Sequence, residues 1–204
     1  SVLNEFAENV NMHDYTVKYI NKVLFSNETI GKIESSEYWT SEYLPWIEEN
    51  KFTVRKLLKN TGYELLQGKG TVQGRLIGGC IEVLEMAKQT PIWPEDNFWE
   101  DAIMFIETSE DMPEPQYIEY WLRNYGAQGV LNKIKGIIWG KPYNNKYYEE
   151  YKAVIYNELN LSELPVLYNI NFGHTLPMMV LPYGAMAEID CYEKSFSILE
   201  SGVI

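Results

Sequence analysis

The residues with the clearest chemical potential in this chain form the stretch Phe172-Gly173-His174-Thr175-Leu176-Pro177. His174 is one of two histidines in 204 residues, and histidine is the side chain whose ordinary pKa lets it exchange protons near neutrality. Apolar runs at 165–170 and 178–181 flank it, which predicts a strand, a tight turn carrying the imidazole, and a second strand. Such turns often hold catalytic groups, and the alternative is a histidine that only bonds to nearby backbone.

Glu107 is the carboxylate that could accompany this histidine. It follows an apolar run at 102–106 that is typical of a buried strand. Ligand-contacting residues gather at the carboxyl ends of such strands in α/β sheets. A carboxylate that accepts the imidazole Nδ1–H fixes the tautomer and stabilises the imidazolium. We therefore predict Glu107 as an orienting acid and His174 as a base, within hydrogen-bond distance if the chain is catalytic.

Such a pair needs a nucleophile, and the sequence offers no convincing one. No serine lies on a Gly-x-Ser-x-Gly elbow. Ser109 lies two residues after Glu107 and so on the same side of an extended strand end, but it is typical of a local turn. Cys80 precedes a predicted helix, where a thiol pKa can be lowered, yet its setting in Gly-Gly-Cys-Ile favours burial.

Two other features have a chemical and a structural interpretation. Gly78-Gly79 lies where a predicted strand meets a predicted helix, which suits either an anion site or close packing. Close packing is favoured because no lysine-hydroxyl pair of a P-loop follows. His13 lies beside Asp14 but has no second metal ligand at useful spacing, so a structural role is favoured there as well.

Charge and cysteine content exclude several classes of partner. The formal net charge is -12 at pH 7, which argues against nucleic acid and anionic membranes because both bind basic patches. Cys80 and Cys191 are too few for a disulfide framework, and no Cys/His cluster has zinc-ligand spacing. We expect free thiols in a reducing, cytoplasmic compartment, with no cofactor and no metal.

The elements that must position these residues alternate in type early in the chain, and strands cluster late. Together they predict a mixed α/β domain. Residues 1–11 are expected to end a strand, 26–38 to form a polar loop and 51–61 a connector. Predicted helices cover about 14–25, a short segment after Thr40, 80–88, 114–125 with Gly126 as C-cap, and 145–159. Predicted strands cover 71–77, 102–106, 135–139, 165–170, 178–181, 185–190 and 195–199.

With these residues identified, the chain resembles the LD-carboxypeptidase family of serine peptidases, in particular its branch of microcin C immunity peptidases. The resemblance extends over nearly the whole chain in the family's order. The matching stretches are EFAEN at 5–9, MHDYT at 12–16, GRLIGGC at 74–80, MFIE at 104–107, GIIWGK at 136–141, FGH at 172–174 and LPYG at 181–184.

The resemblance implies a Ser-Glu-His triad in which Glu107 is the acid and His174 the base. The family's serine lies on a turn of an N-terminal α/β domain, just before an aspartate, and no such motif occurs in this sequence. Residues 1–62 are then expected to be the tail of that domain and a helical linker. Residues 63–204 are expected to be the swivelling mixed β/α C-terminal domain. The 204-residue chain alone should then be inactive, because it lacks the serine.

The implied substrate has an amide bond in a peptidyl- or aminoacyl-nucleotide or a murein peptide, with Gly79, Cys80 and Ser109 as candidate contacts. Cys80 stands where many relatives carry asparagine, and residues 108–111 are more acidic than expected beside an anionic substrate. The microcin branch stacks an aromatic residue near the linker on a nucleobase. Trp39 or Trp46 is the candidate for that role, and the alternative is a place in the core.

Two kinds of partner follow from the resemblance: the absent N-terminal domain and a second copy in a homodimer. An interpretation of a different class is a non-catalytic ligand-binding or interaction module, in which His174 is only a turn residue. The distance between Glu107 and His174 separates these interpretations.

Overall fold

A computed structural model of the chain describes residues 8, 10–159 and 163–204. The helices are α1 (Asp14–Leu24), α2 (Ile81–Ala87), α3 (Pro115–Ala127), α4 (Val130–Lys133) and α5 (Tyr148–Leu159). The strands are β1 (Gly31–Ile33), β2 (Tyr38–Trp39), β3 (Leu58–Lys59), β4 (Glu64–Gln67), β5 (Thr71–Cys80), β6 (Ile103–Glu107), β7 (Gly136–Gly140), β8 (Val166–Ile170), β9 (Met186–Asp190) and β10 (Ser195–Ile198). Short 3-10 turns lie at Glu48–Asn50, Asp96–Trp99 and Tyr143–Asn145.

Eight strands form one mixed sheet in the order β1-β10-β9-β5-β6-β7-β8-β4. Strands β5 to β8 are parallel, and the strands on either side of them are antiparallel. Strand β5 belongs to both the parallel and the antiparallel part of the sheet. Its residues 71–75 pair with β9 in antiparallel orientation, and its residues 76–80 pair with β6 in parallel orientation. Strands β2 and β3 form a separate antiparallel pair.

The core lies on both faces of this sheet. Every residue of β6, β7 and β8 is buried. This burial explains why the sequence of these strands is almost continuously apolar. One face packs against α2, α3, α4 and α5 through side chains such as Trp99, Trp139 and Ile155. The other face packs against α1 and the edge strands, with Tyr19 and Phe196 among the buried residues.

The carboxyl ends of β6, β7 and β8 lie at one edge of the sheet because the three strands are parallel. An irregular segment, residues 171–185, leads from β8 to β9. The strap, defined here as residues 39–41, lies against this segment. Thr40 N donates to Leu176 O over 2.7 Å and Leu176 N donates to Thr40 O over 2.8 Å. The strap is therefore fixed to the segment that carries His174.

Most predicted elements are confirmed to within a few residues. The helices predicted at 14–25, 80–88, 114–125 and 145–159 are α1, α2, α3 and α5. The strands predicted at 71–77, 102–106, 135–139, 165–170, 185–190 and 195–199 are β5 to β10. The mixed α/β fold class is confirmed. Of the N-terminal strand predicted within residues 1–11, residues 1–7 and 9 lie outside the described residues.

Some local predictions are wrong. The segment after Thr40 forms no α-helix, because Tyr43 and Trp46 are exposed and have no core to pack on. Residues 26–38 are not only loop, since they contain β1, which pairs with β10. No strand forms at 178–181, where the chain is irregular. Met179 is the only residue of these four that is buried in the core. Gly126 lies inside α3, and Gln128 caps that helix.

Candidate functional site

His174 and Glu107 are in direct contact at the carboxyl edge of the parallel strands. His174 Nδ1 lies 2.6 Å from Glu107 Oε2. Glu107 is the last residue of β6 and its side chain is 9% exposed, whereas the His174 side chain is 36% exposed. With the proton on Nδ1, the imidazole donates to the carboxylate and leaves Nε2 as the outward nitrogen. The distance that the catalytic interpretation requires is present.

Two glycines make room for this contact. Gly173 has φ +106°, and a Cβ there would lie 2.8 Å from Glu107 Oε2. A Cβ on Gly140, at the end of β7, would lie 2.9 Å from Glu107 Cβ and 2.6 Å from Phe172 O. A side chain at either position would displace the glutamate, so glycine is needed at both.

A second carboxylate lies at the other ring nitrogen. His174 Nε2 is 3.1 Å from Glu110 Oε2. Glu110 belongs to the turn after β6, which is anchored to α2 because Ser109 N and Oγ both donate to Glu82 Oε1, over 2.9 and 2.7 Å. The Ser109 hydroxyl therefore holds this turn, and its predicted contact with substrate stays a prediction.

The pKa of His174 is raised above its ordinary value of 6.5. The hydrogen bond with Glu107 is the largest cause; burial of the ring opposes it, and the charges of Glu107, Glu110 and Glu82 raise the pKa further. These effects favour the imidazolium in the resting site. A general base works best when its pKa lies near the working pH.

His174 borders a cavity of about 640 Å³. Its lining residues are Glu8, Ser41, Glu42, Tyr43, Leu44, Trp46, Arg55, Glu107, Glu110, Tyr143, Gly173, His174, Leu176 and Met178. Arg55 is paired, since its Nε lies 2.8 Å from Glu8 Oε1 and its guanidinium also donates to the Glu42 carbonyl oxygen. The part of the cavity wall next to the imidazole therefore carries carboxylates, Glu107 and Glu110.

The two candidate tryptophans differ in their surroundings. Trp39 is 5% exposed, and the Lys141 ammonium lies 4.4 Å from the centre of its ring. Trp46 is 69% exposed and lines the cavity. Trp39 thus packs in the interior, as the core alternative predicts, and Trp46 is the tryptophan with a face open for stacking.

Gly79 and Cys80 end β5, where Cys80 pairs in register with Glu107. Burial, with a contribution from the Glu107 charge, raises the pKa of the Cys80 thiol to about 12, so this thiol is not activated as a nucleophile. A Cβ on Gly78 would lie 1.8 Å from Phe105 O. Gly78 therefore permits the close approach of β5 to Phe105 of β6, whereas a Cβ on Gly79 would meet the Tyr183 hydroxyl at 3.3 Å.

Sequence reasoning missed Lys141, which directly follows β7 and is 2% exposed. Its ammonium donates to Asn145 Oδ1 over 3.1 Å and lies over the rings of Trp39 and Tyr148. Burial lowers its pKa to about 8. The signal that could have found it is its place after an apolar strand, which is the signal that identified Glu107.

His13 directly precedes α1, and burial lowers its pKa. Among the described residues, no group of three or more His, Cys, Asp or Glu side chains could hold a metal ion. Within residues 8, 10–159 and 163–204, no helix is long and apolar enough to cross a membrane.

Comparison with known proteins identifies relatives from one family. The family of LD-carboxypeptidase C-terminal domains matches residues 73–189. The microcin C7 self-immunity protein MccF of Escherichia coli is 29% identical over 211 residues, which cover 98% of this chain and 58% of that protein. The chain thus spans less than two thirds of this relative's length.

Solved structures share the fold. An MccF-like protein from Streptococcus pneumoniae in complex with AMP has a TM-score of 0.87 at 28% identity, covering 96% of this chain and 61% of that one. MccF in complex with glutamyl sulfamoyl guanosine has a TM-score of 0.71 at 28% identity, covering 88% of this chain and 52% of that one. Because the family match covers more than half of the sequence, the chain belongs to the LD-carboxypeptidase family, with similarity to its MccF-like members.

Proposed function

We propose that this chain is the C-terminal half of a serine peptidase in which His174 is the general base and Glu107 orients it. The observation that carries the proposal is the 2.6 Å contact between His174 Nδ1 and Glu107 Oε2. The contact lies at the carboxyl ends of the parallel strands of the mixed sheet and beside a cavity large enough for a small ligand. Residues 1–62 would be the tail of the N-terminal domain and the linker, and 63–204 the C-terminal domain.

In the proposed reaction, Nε2 of His174 accepts the proton of a serine hydroxyl as that oxygen attacks the amide carbonyl. The imidazolium then returns the proton to the leaving amine, and a second cycle with water releases the acid. Glu107 stabilises the imidazolium and holds the ring in the tautomer that leaves Nε2 free to accept. Backbone N–H groups of the other half would bind the oxyanion, at about 3 kcal/mol for each donor.

The serine is proposed to come from outside these 204 residues. Three candidate nucleophiles within the chain do not suit this role. Ser41 lines the cavity but donates to Asn144 Oδ1 over 2.6 Å, Ser109 donates to Glu82, and Cys80 has a raised pKa. The greater length of the relatives leaves room for a further catalytic region.

The proposed substrate is an aminoacyl- or peptidyl-nucleotide, with a murein peptide as the second candidate. Structures of MccF-like relatives in complex with AMP and with aminoacyl sulfamoyl nucleosides support the first. Trp46 is the proposed stacking surface for the base, because it is exposed and lines the cavity that His174 borders. Gly79 and Cys80 stay candidate contacts. A cytoplasmic location and a homodimer are part of the same proposal.

The experiment compares this chain alone with the same chain joined to an N-terminal half from its coding sequence. Hydrolysis of an aminoacyl sulfamoyl adenosine is measured by chromatography. We expect no turnover by the chain alone and turnover by the joined protein. Glu107→Gln and His174→Ala should lower kcat/KM about 10⁴-fold. The control is Glu193→Gln, an exposed carboxylate after β9, which should leave the rate unchanged.

Full activity in the His174→Ala protein would overturn the assignment. If every protein were inactive but all bound the nucleotide equally well, the non-catalytic binding module would replace it. Calorimetric titration with AMP distinguishes that outcome from misfolding, because a misfolded protein would not bind.

A further inference from the structure

Glu110 lies on the side of His174 that the proposed reaction needs free. Its Oε2 is 3.1 Å from Nε2, while Glu107 Oε2 is 2.6 Å from Nδ1. The imidazole therefore lies between two carboxylates, one hydrogen-bonded to Nδ1 and one at ion-pair distance from Nε2. Of these, Glu107 has a 9% exposed side chain and Glu110 a 62% exposed one. One carboxylate is fixed in the interior, and the other stands at the surface of the cavity.

The position of Glu110 is set by its turn rather than by a free chain end. Ser109 donates through both N and Oγ to Glu82 Oε1 of α2. Asp111 N donates to Ser109 Oγ over 3.2 Å, and Met112 N donates to Ser109 O over 3.2 Å. The backbone on both sides of Glu110 is thus anchored. Only its side chain needs to rotate to leave the imidazole.

A carboxylate oxygen 3.1 Å from Nε2 occupies the space through which a serine hydroxyl would have to approach this nitrogen. Two carboxylates also stabilise the imidazolium, which has no lone pair to use as a base. The charged groups around the ring are Glu107 and Glu110 from β6 and its turn and Glu82 from α2. Arg55, which also lines the cavity, is paired with Glu8.

We propose that Glu110 is a positioning residue that gates the base: its carboxylate lies beside Nε2 of His174 in the resting site and must move away before His174 can accept a proton. The proposal rests on the assignment of His174 as the base. In the resting arrangement the ring is correctly oriented by Glu107 and blocked by Glu110. Release of the Glu110 side chain then starts the catalytic cycle without movement of the backbone.

The first experiment is an NMR titration of the 204-residue chain. With two histidines in the sequence, both imidazole signals can be followed, and His13 serves as an internal reference. Glu110→Gln should shift the His174 midpoint to lower pH and leave that of His13 unchanged. Asp111→Asn removes the same charge from the neighbouring residue and should shift the His174 midpoint less. Equal midpoints in wild type and Glu110→Gln would overturn the proposal.

The second experiment measures kcat/KM against pH for the chain joined to its N-terminal half. Removing the gate should move the acid limb of the Glu110→Gln profile to lower pH, so that activity below the wild-type midpoint rises. An unmoved limb together with an inactive His174→Ala protein would reject the gate and keep the base. An active His174→Ala protein would instead reject the proposed function, whatever the Glu110→Gln profile shows.

Discussion

Gly173 and Glu107 are packed so closely that a Cβ on Gly173 would lie 2.8 Å from Glu107 Oε2 and 3.0 Å from Glu107 Cβ. Gly173 also has φ +106°, a backbone conformation that L side chains rarely adopt. The glycine before His174 therefore has two functions. It turns the chain so that the imidazole reaches Glu107, and it leaves the space that the carboxylate occupies.

Gly173→Ala should destabilise the chain by about 2–5 kcal/mol, as the sum of backbone strain and overpacking against Glu107. Urea unfolding measures this loss. Because the methyl group displaces the carboxylate, the His174 midpoint in an NMR titration should also fall. Gly70→Ala is the matched control: Gly70 has φ +73° and nothing within 4 Å of its Cβ position, so it should cost about 1–2 kcal/mol and leave the midpoint unchanged. Equal effects in both variants would contradict the close packing described here.

Glu107→Gln should lower the pKa of His174, because the hydrogen bond with the carboxylate is the largest cause of its raised value. The pKa shift of His174 also makes the free energy of unfolding depend on pH. A raised pKa in the folded state stabilises the fold below the unfolded value of 6.5, and this contribution disappears as pH rises through the folded pKa. Urea unfolding from pH 5 to 9 should therefore show a smaller loss of stability with rising pH in Glu107→Gln than in wild type.

His174→Gln provides the reference for that measurement, since it removes the titrating group. Its difference from wild type should be largest at low pH and shrink above the folded pKa of His174. A difference that is constant across this range would show that the contact with Glu107 does not depend on the charge of the ring.

Lys141→Met should reveal the cost of burying an ammonium group. Burial lowers the Lys141 pKa from 10.5 to about 8, so between these values the unfolded chain binds more protons and stability rises with pH. The free energy of unfolding of wild type, relative to Lys141→Met, should rise by up to about 3 kcal/mol between pH 7 and 10. Urea unfolding at several pH values measures the slope.

An exposed lysine separates this effect from general alkaline titration. Lys32, in β1, is exposed, and Lys32→Met should parallel wild type over the same pH range. If Lys141→Met also parallels wild type, the ammonium is better solvated than its 2% exposure indicates.

Cys80 should react slowly with iodoacetamide in a Cys191→Ala background. A rise in pKa from 9.0 to about 12 lowers the thiolate fraction roughly 1,000-fold, and the thiolate is the reacting species. The urea-unfolded variant should alkylate at the rate of an ordinary cysteine, which is the internal control. A folded rate equal to or above the unfolded rate would restore Cys80 as a candidate nucleophile.

The sequence by itself determined the ingredients of the candidate site. The apolar run before Glu107 predicted a buried strand because both faces of a parallel strand are covered, and that strand is β6. The apolar runs on either side of His174 predicted a turn that presents the imidazole, and the first of these runs is β8. Each of these inferences depends on neighbours along the chain, which is the range over which periodicity and turn residues carry information.

Tertiary structure decided which of these residues meet. Glu107 and His174 are 67 residues apart, and their contact depends on the parallel order of β6, β7 and β8. The choice between Trp39 and Trp46 also depends on packing, because Trp39 in the strap is buried beside Lys141 and Trp46 is exposed.

The same reason explains the predictions that failed. The apolar residues after Thr40 have a helix-like pattern, but no core surface faces them, and a short isolated helix is not stable in water. Strand β1 is short and lies in a polar stretch, and it exists because β10 supplies the pairing partner. Local pattern predicts what a segment can form, whereas packing and pairing with distant residues decide what it forms and which side chains share a site.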